Sequence, residues 1–320
     1  FELGVWVGLI SILLCSMLGG MRAVTWTQVA QYIVLIIAYL LPVFWMSNKN
    51  GFGFFPHLML GDEVGRIADL EAQFGLIKNS AADIAAAGVP AGLGYISNPH
   101  SEVPAGGMAA WKFISLAICM MVGTASLPHI LMRYFTTPSV KSARKSVAWS
   151  LFFIFLLYSS APMLATLSKL QLMDPSLATG IIGRSIADVQ ALEWVQNWSA
   201  AKQVFIADFN GDGVLQLNEW FMRGDVVVLA TPEVAGLPYV ISGLVAAGGM
   251  AAAMSTADGL VLAIANALSH DLYFKIIDPK ADVAKRLIVA RVLLVIIGAA
   301  GAYIASMRIT SILGAVAWAF

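Results

Sequence analysis

The sequence predicts an all-α integral membrane protein with six transmembrane helices and the start of a seventh. Of its 320 residues 59% are hydrophobic and 12% charged, and the mean hydropathy of +0.80 is too high for a soluble globular chain. Charge-free runs of bilayer-spanning length recur along it, and the short segments between several of them are basic. Lys plus Arg and Asp plus Glu total 19 each, so no basic excess points to nucleic acid; the partner the composition demands is a lipid bilayer. No nucleotide-binding loop or zinc cluster appears, which leaves a primary pump or an intramembrane protease without support.

The first span is Leu3–Met21 and the second Ala23–Asn48. So little separates them that they must form a helical hairpin around Arg22. The third is Phe113–Met132, the fourth Ser146–Ser168, the fifth lies within Val234–Tyr273, and the sixth runs from Arg291 to about Met307. Cys15 and Cys119 fall inside spans, where a thiol behaves as a small hydrophobe. There is no initiating Met or signal peptide, and the final apolar run, Ile309–Phe320, is too short to cross; both ends read as cut.

Basic residues in short loops set orientation. Arg133, Lys141, Arg144 and Lys145 follow the third span, and Lys275, Lys280, Lys285 and Arg286 follow the fifth, so both loops are expected in the cytoplasm. Alternation then places the long loops 49–112 and 169–233 outside, on a single transmembrane domain covering 1–320. In the first of these loops Val64, Ile67, Leu70 and Phe74 follow helical spacing, which predicts a short amphipathic helix capping the outer mouth.

The second outer loop contains Asp-Phe-Asn-Gly-Asp-Gly-Val-Leu-Gln-Leu-Asn-Glu at 208–219, a match to the helix-loop-helix calcium pattern. Asp208, Asn210 and Asp212 would supply side-chain oxygens, Val214 its carbonyl, Gln216 a direct or water-mediated contact and Glu219 a bidentate carboxylate. Helical spacing of Ile186, Val189, Leu192, Val195 and Trp198 predicts the helix leading in. The alternative is an acidic turn whose spacing is accidental.

Two spans carry polarity that needs a partner. Gly123 and Pro128 predict a kinked or unwound third span, because proline removes a backbone donor and clashes with the preceding turn. Freed backbone groups there, with Thr124, Ser126 and His129, would bind a small polar solute; otherwise this is an ordinary proline kink with His129 bonded to a neighbour. In the fifth span Ser255 and Thr256 stand among Gly and Ala, where oxygen atoms suit a hard cation such as Na⁺. Otherwise both hydroxyls bond back to carbonyls one turn earlier.

The run Gly19–Gln28 resembles the Gly-Gly-x-x-Ala-Val-x-Trp-Thr turn of the sodium:solute symporter family. Gly123–Phe135 resembles the Pro-His-Ile segment of its cation/acetate and monocarboxylate permeases, and Ala251–Thr256 with Ser269–Tyr273 resembles the sodium-site helix and its cytoplasmic extension. The likeness covers nearly all of the chain. It implies an inverted-repeat (5+5) secondary-transporter fold, with this chain holding the last two helices of the first repeat and most of the second. It also implies a Na⁺ site formed by the Ala252 carbonyl and the Ser255 and Thr256 hydroxyls, completed by a helix outside this sequence. Many family members carry an acidic residue after Trp-Thr, whereas Gln28 stands on the cation path here. An uncharged amide leaves weaker Na⁺ coupling, or H⁺ in its place, open.

The expectation is therefore a multi-pass protein of the cell membrane, a bacterial inner membrane, with no covalent chemistry. It carries out cation-coupled symport of a short monocarboxylate such as acetate or pyruvate, with Gly123, Thr124, Ser126 and His129 contacting the solute. The alternatives are another small solute such as proline, or a transporter-like input module of a membrane sensor, which a signalling domain beyond residue 320 would mark.

Overall fold

The computed structural model describes residues 2–53, 55–75, 79–90, 93–95, 110–307 and 312–319. The mostly helical chain begins with α1 (Glu2–Lys49), which is broken at Gly20 by φ 54° and ψ −154°. An unbroken helix would hold residues 15 and 27 about 18 Å apart. Instead Cys15 Sγ lies 3.6 Å from Thr27 Oγ1, so α1 folds back on itself there as a hairpin. Gly20 permits the positive φ, and a side chain at Gly19 would put its Cβ 2.0 Å from that of Ala23.

The amphipathic helix expected in the first outer loop is α2 (Pro56–Phe74). It buries Ile67 and Leu70 as its spacing predicts, with Val64 and Phe74 half-buried, and it also buries Glu63 and Glu71. After α3 (Ala81–Ala86) and β1 (Gly94–Tyr95) comes the predicted break: α4 (Ala110–Ala125) stops, Leu127 is extended, and α5 (Pro128–Leu131) starts on the proline. The two segments, Ile114–Ala125 and Pro128–Tyr134, meet at 45°. Proline suits the first helical turn because its missing N–H would have no partner there in any case.

The fourth expected span extends at both ends as α6 (Val140–Met173). Then follow α7 (Ile186–Gln190), α8 (Glu193–Ala200), β2 (Val204–Ile206), β3 (Trp220–Met222) and α9 (Val227–Val234). The strands form an antiparallel sheet in the order β1-β3-β2, which corrects a purely α reading. The helix expected before the calcium pattern is also corrected: two short helices and β2 precede it, β3 follows it, and the loop is strand-loop-strand. Trp220, Phe221 and Met222 are all buried, so the segment reads as a strand covered on both faces.

The span expected fifth lies in α10 (Tyr239–Asn266), later than its expected start because Gly236 (φ 61°) and Pro238 separate it from α9. It continues through wider π-type turns over Ala267–Ile277. The sixth, α11 (Val283–Ser306), begins eight residues before Arg291, where the Asp282 carboxylate accepts the Lys285 N–H as its cap. The seventh run is α12 (Ile312–Ala319).

Among the described residues four helices are long and apolar enough to cross a membrane, or five with the bent pair counted as one span. Leu14, Leu18, Ile33, Phe155, Ile288 and Ile296 are exposed along them, as lipid-facing side chains are. The chain divides into two compact bodies. One comprises Phe1–Ile36, Ser115–Ser150 and Ala247–Phe320, with Val24, Leu262, Ala265 and Leu294 at its core. The other comprises Ile37–Ile114 and Leu151–Ala246, where Ile67, Leu170, Met173, Leu215 and Trp220 are buried together.

Candidate cation and solute site

In the first body the expected cation ligands converge on one carbonyl. Ser255 Oγ donates to the Ala252 oxygen at 3.0 Å and Thr256 Oγ1 to the same oxygen at 3.3 Å, so three oxygens gather on one turn of α10. This is the hydroxyl-to-preceding-turn arrangement, and it places together the atoms a hard cation would use in place of those two hydrogen bonds.

Gln28 joins this turn. Its Nε2 donates to the Ser255 carbonyl while its Oε1 accepts from Arg133 Nη2. Gly259 makes room: a Cβ there would sit 3.6 Å from Gln28 Nε2, 3.6 Å from His129 Cδ2 and 3.7 Å from Arg133 Nη2. The broken span therefore brings His129 and Arg133 to α10 beside Gln28. Arg133, read from the sequence only as one of the basic residues after the third span, is part of the cluster, and Nδ1 of His129 is buried with no hydrogen-bond partner among the described residues.

The other solute-contact candidates are not gathered there. Thr124 Oγ1 bonds the Met120 carbonyl at 2.7 Å and Ser126 Oγ the Gly123 carbonyl at 2.9 Å, both within their own segment; Thr124 and Ser126 are exposed and Gly123 half-buried.

Sequence reasoning missed Asp258. It lies two residues beyond Thr256, is 2% exposed, and accepts a hydrogen bond from Ser16 Oγ on α1. The signal was present, since a carboxylate inside a Gly/Ala-rich span is a functional candidate by default.

In the second body the 208–219 loop is tightly wound. Asp208 accepts the N–H groups of Gly211 (2.7 Å) and Gly213 (3.0 Å), Asn210 that of Asp212, and Asp212 that of Val214 (2.7 Å). The Val214 N–H holds the Asp212 carboxyl below its ordinary range. Glu219, fully buried, accepts from the Phe209 and Gln216 N–H groups at 3.0 and 2.9 Å. Gly211 and Gly213 take positive φ, and Leu215 is buried beneath the loop. The carboxylates thus face backbone donors, and among the described residues no group of three or more His, Cys, Asp or Glu side chains is gathered to hold a metal ion.

A chain with several membrane-length helices, a broken span and an oxygen-rich turn packed beside it has the makings of a solute transporter, in which irregular backbone at membrane depth lines a binding cavity. The chain belongs to the sodium:solute symporter family, whose model matches residues 1–174 and 226–320. The unmatched stretch between them contains the wound loop. An uncharacterized symporter of Cupriavidus necator is 38% identical across all of this chain, which spans 57% of that relative's length. A monocarboxylic acid transporter of Corynebacterium glutamicum is 31% identical over 160 residues, 48% of this chain and 25% of that protein. No solved structure matches the chain. The helices of membrane-spanning length make the chain multi-pass in the membrane, and the name of its family is one of sodium-coupled solute symport.

Proposed function

We propose that the protein couples Na⁺ to the uptake of a short-chain monocarboxylate, acetate or pyruvate, by alternating access. The observation that carries this is the turn of α10 on which the Ala252, Ser255 and Thr256 oxygens meet, bridged by Gln28 to the arm of the broken span that bears His129 and Arg133. Oxygen ligands fit Na⁺, and the cationic Arg133 beside His129 favours an anionic solute over a zwitterion such as proline. The relative named as a monocarboxylic acid transporter supports the same solute class.

In this reading the two arms of α1 count as two spans, giving six with the start of a seventh in an inverted-repeat fold. Gly123, Thr124, Ser126 and His129 serve the solute, and Gln28 lies on the cation path. The basic loops face the cytoplasm of a bacterial inner membrane, and the segments 49–112 and 169–233 face outward. The Na⁺ gradient drives the cycle, with about 2.3 kcal/mol per charge per 100 mV from its electrical part.

The solute is tested by radiolabelled acetate, pyruvate and proline uptake into proteoliposomes of the full-length protein, with Na⁺ and pH gradients imposed separately. Monocarboxylate uptake that follows the Na⁺ gradient is expected; proline uptake in its place would overturn the solute class, and dependence on pH alone would replace Na⁺ with H⁺. Ser255→Ala with Thr256→Ala should raise the Na⁺ concentration for half-maximal uptake, and an unchanged value counts against that pair as ligands.

The reading extends to Ca²⁺ in the outer loop through Asp208, Asn210, Asp212, Val214, Gln216 and Glu219. The ion would draw the carboxylates off their backbone donors, at the affinity of about 10⁻⁴–10⁻³ M typical of extracellular modules. Isothermal titration should show Ca²⁺ binding that Glu219→Gln weakens; no heat at millimolar Ca²⁺ would refute it.

A further inference from the structure

We infer that Asp258 supplies the negative charge that neutralises the coupling Na⁺ at the Ala252, Ser255 and Thr256 oxygens, an inference that rests on the sodium-symport reading. Three features of the first body lead there. Asp258 is 2% exposed on a helix long and apolar enough to cross a membrane, and a carboxylate in such surroundings demands a compensating charge. It accepts hydrogen bonds from neutral groups of α1, the Ser16 hydroxyl and the Cys15 thiol, and among the described residues no Lys, Arg or His forms an ion pair with it. The neighbouring face of α10 borders an apolar cavity of about 700 Å³, lined there by Ala253, Met254, Ala257 and Val261, with no ionic side chain among the described residues that line it.

Position gives the charge its use. Asp258 follows Ser255 by three residues, which makes the two side chains neighbours on one helix surface. The carboxylate is therefore held within one turn of the gathered oxygens, and Ser16 fixes its direction toward α1. The polar side chain that α1 brings to that turn cannot substitute. Gln28 is uncharged and spends its amide on the Ser255 carbonyl and Arg133, whose positive charge opposes a cation nearby. Three neutral oxygens beside a guanidinium make a poor Na⁺ site; the same oxygens beside a buried carboxylate make a favourable one.

The test is equilibrium binding of ²²Na⁺ to the purified full-length protein without added solute, together with the Na⁺-dependent rise in melting temperature. Asp258→Asn retains a hydrogen-bond acceptor for Ser16 and removes the charge. It should weaken Na⁺ binding by about tenfold or more and shrink the thermal shift, while Asp258→Glu restores both. A purely structural role would lower the melting temperature of the Na⁺-free protein and leave Na⁺ affinity unchanged. Unchanged affinity in Asp258→Asn, with the wild type binding Na⁺, overturns this inference and leaves sodium symport standing. A wild type that binds no Na⁺ overturns both. If Asp258→Asn does not fold, Asp258→Ser decides by the same comparison.

Discussion

Glu63 in α2 has both carboxylate oxygens buried with no hydrogen-bond partner among the described residues, and burial pushes its carboxyl up to about 7 from an ordinary 4.5. The sign follows from linkage: below pH 4.5 folded and unfolded chains both carry the proton, and above it the unfolded chain loses the proton first. The group therefore destabilises the fold increasingly as pH rises to about 7, by about 3 kcal/mol in all, and the penalty is constant beyond that. Glu63→Gln should flatten this part of the stability profile, so its advantage over the wild type grows between pH 5 and 8 in thermal unfolding. Parallel profiles for the two proteins would contradict it. In the same body, Lys169 pairs with Glu71, and both side chains are almost fully buried. Lys169→Ala should cost about 3–5 kcal/mol by stranding a buried carboxylate, and Lys169→Met combined with Glu71→Leu should recover much of that. Neither group was legible in the sequence, because Glu63 and Glu71 read as the polar residues of an amphipathic helix; its buried stripe of Ile67 and Leu70 was legible from spacing alone.

At the scale of elements, the break between α4 and α5 was readable because proline acts locally, whatever packs around it. Its consequence was not readable: beyond a 45° bend, an angle that no spacing encodes, Arg133 bonds Gln28 and His129 comes up to Gly259 of α10. Pro128→Ala should let the two segments run on as one helix and lower transport by about tenfold with the protein still folded. Retained transport would show that the bend is not part of the cycle. The wound loop illustrates the opposite case. Its oxygen spacing was legible and its flanks were not, since Phe205, Phe221 and Trp220 serve a strand as readily as a helix and the pairing of β2 with β3 is decided across the loop. The hairpin in α1 needed only two adjacent glycines between apolar runs, and the Cys15–Thr27 contact follows from it.

For the whole molecule, composition and charge-free runs alone established a multi-pass helical membrane protein, and the motifs in α1, α4–α5 and α10 led to its family. The site was half legible. Ser255 and Thr256 stood out as hydroxyls in an apolar span and Asp258 was visible there as a carboxylate, whereas its partner Ser16 and the role of Gly259 take their meaning from another helix packed beside them. The central claim is that a sodium gradient drives solute movement through this protein. It is tested most directly by loading proteoliposomes of the full-length protein with K⁺, diluting them into Na⁺ and following labelled acetate and pyruvate. Accumulation of one of them above the external concentration, abolished when a Na⁺ ionophore collapses the gradient, is the predicted result; uptake of both that only equilibrates, indifferent to the Na⁺ gradient, would contradict the account.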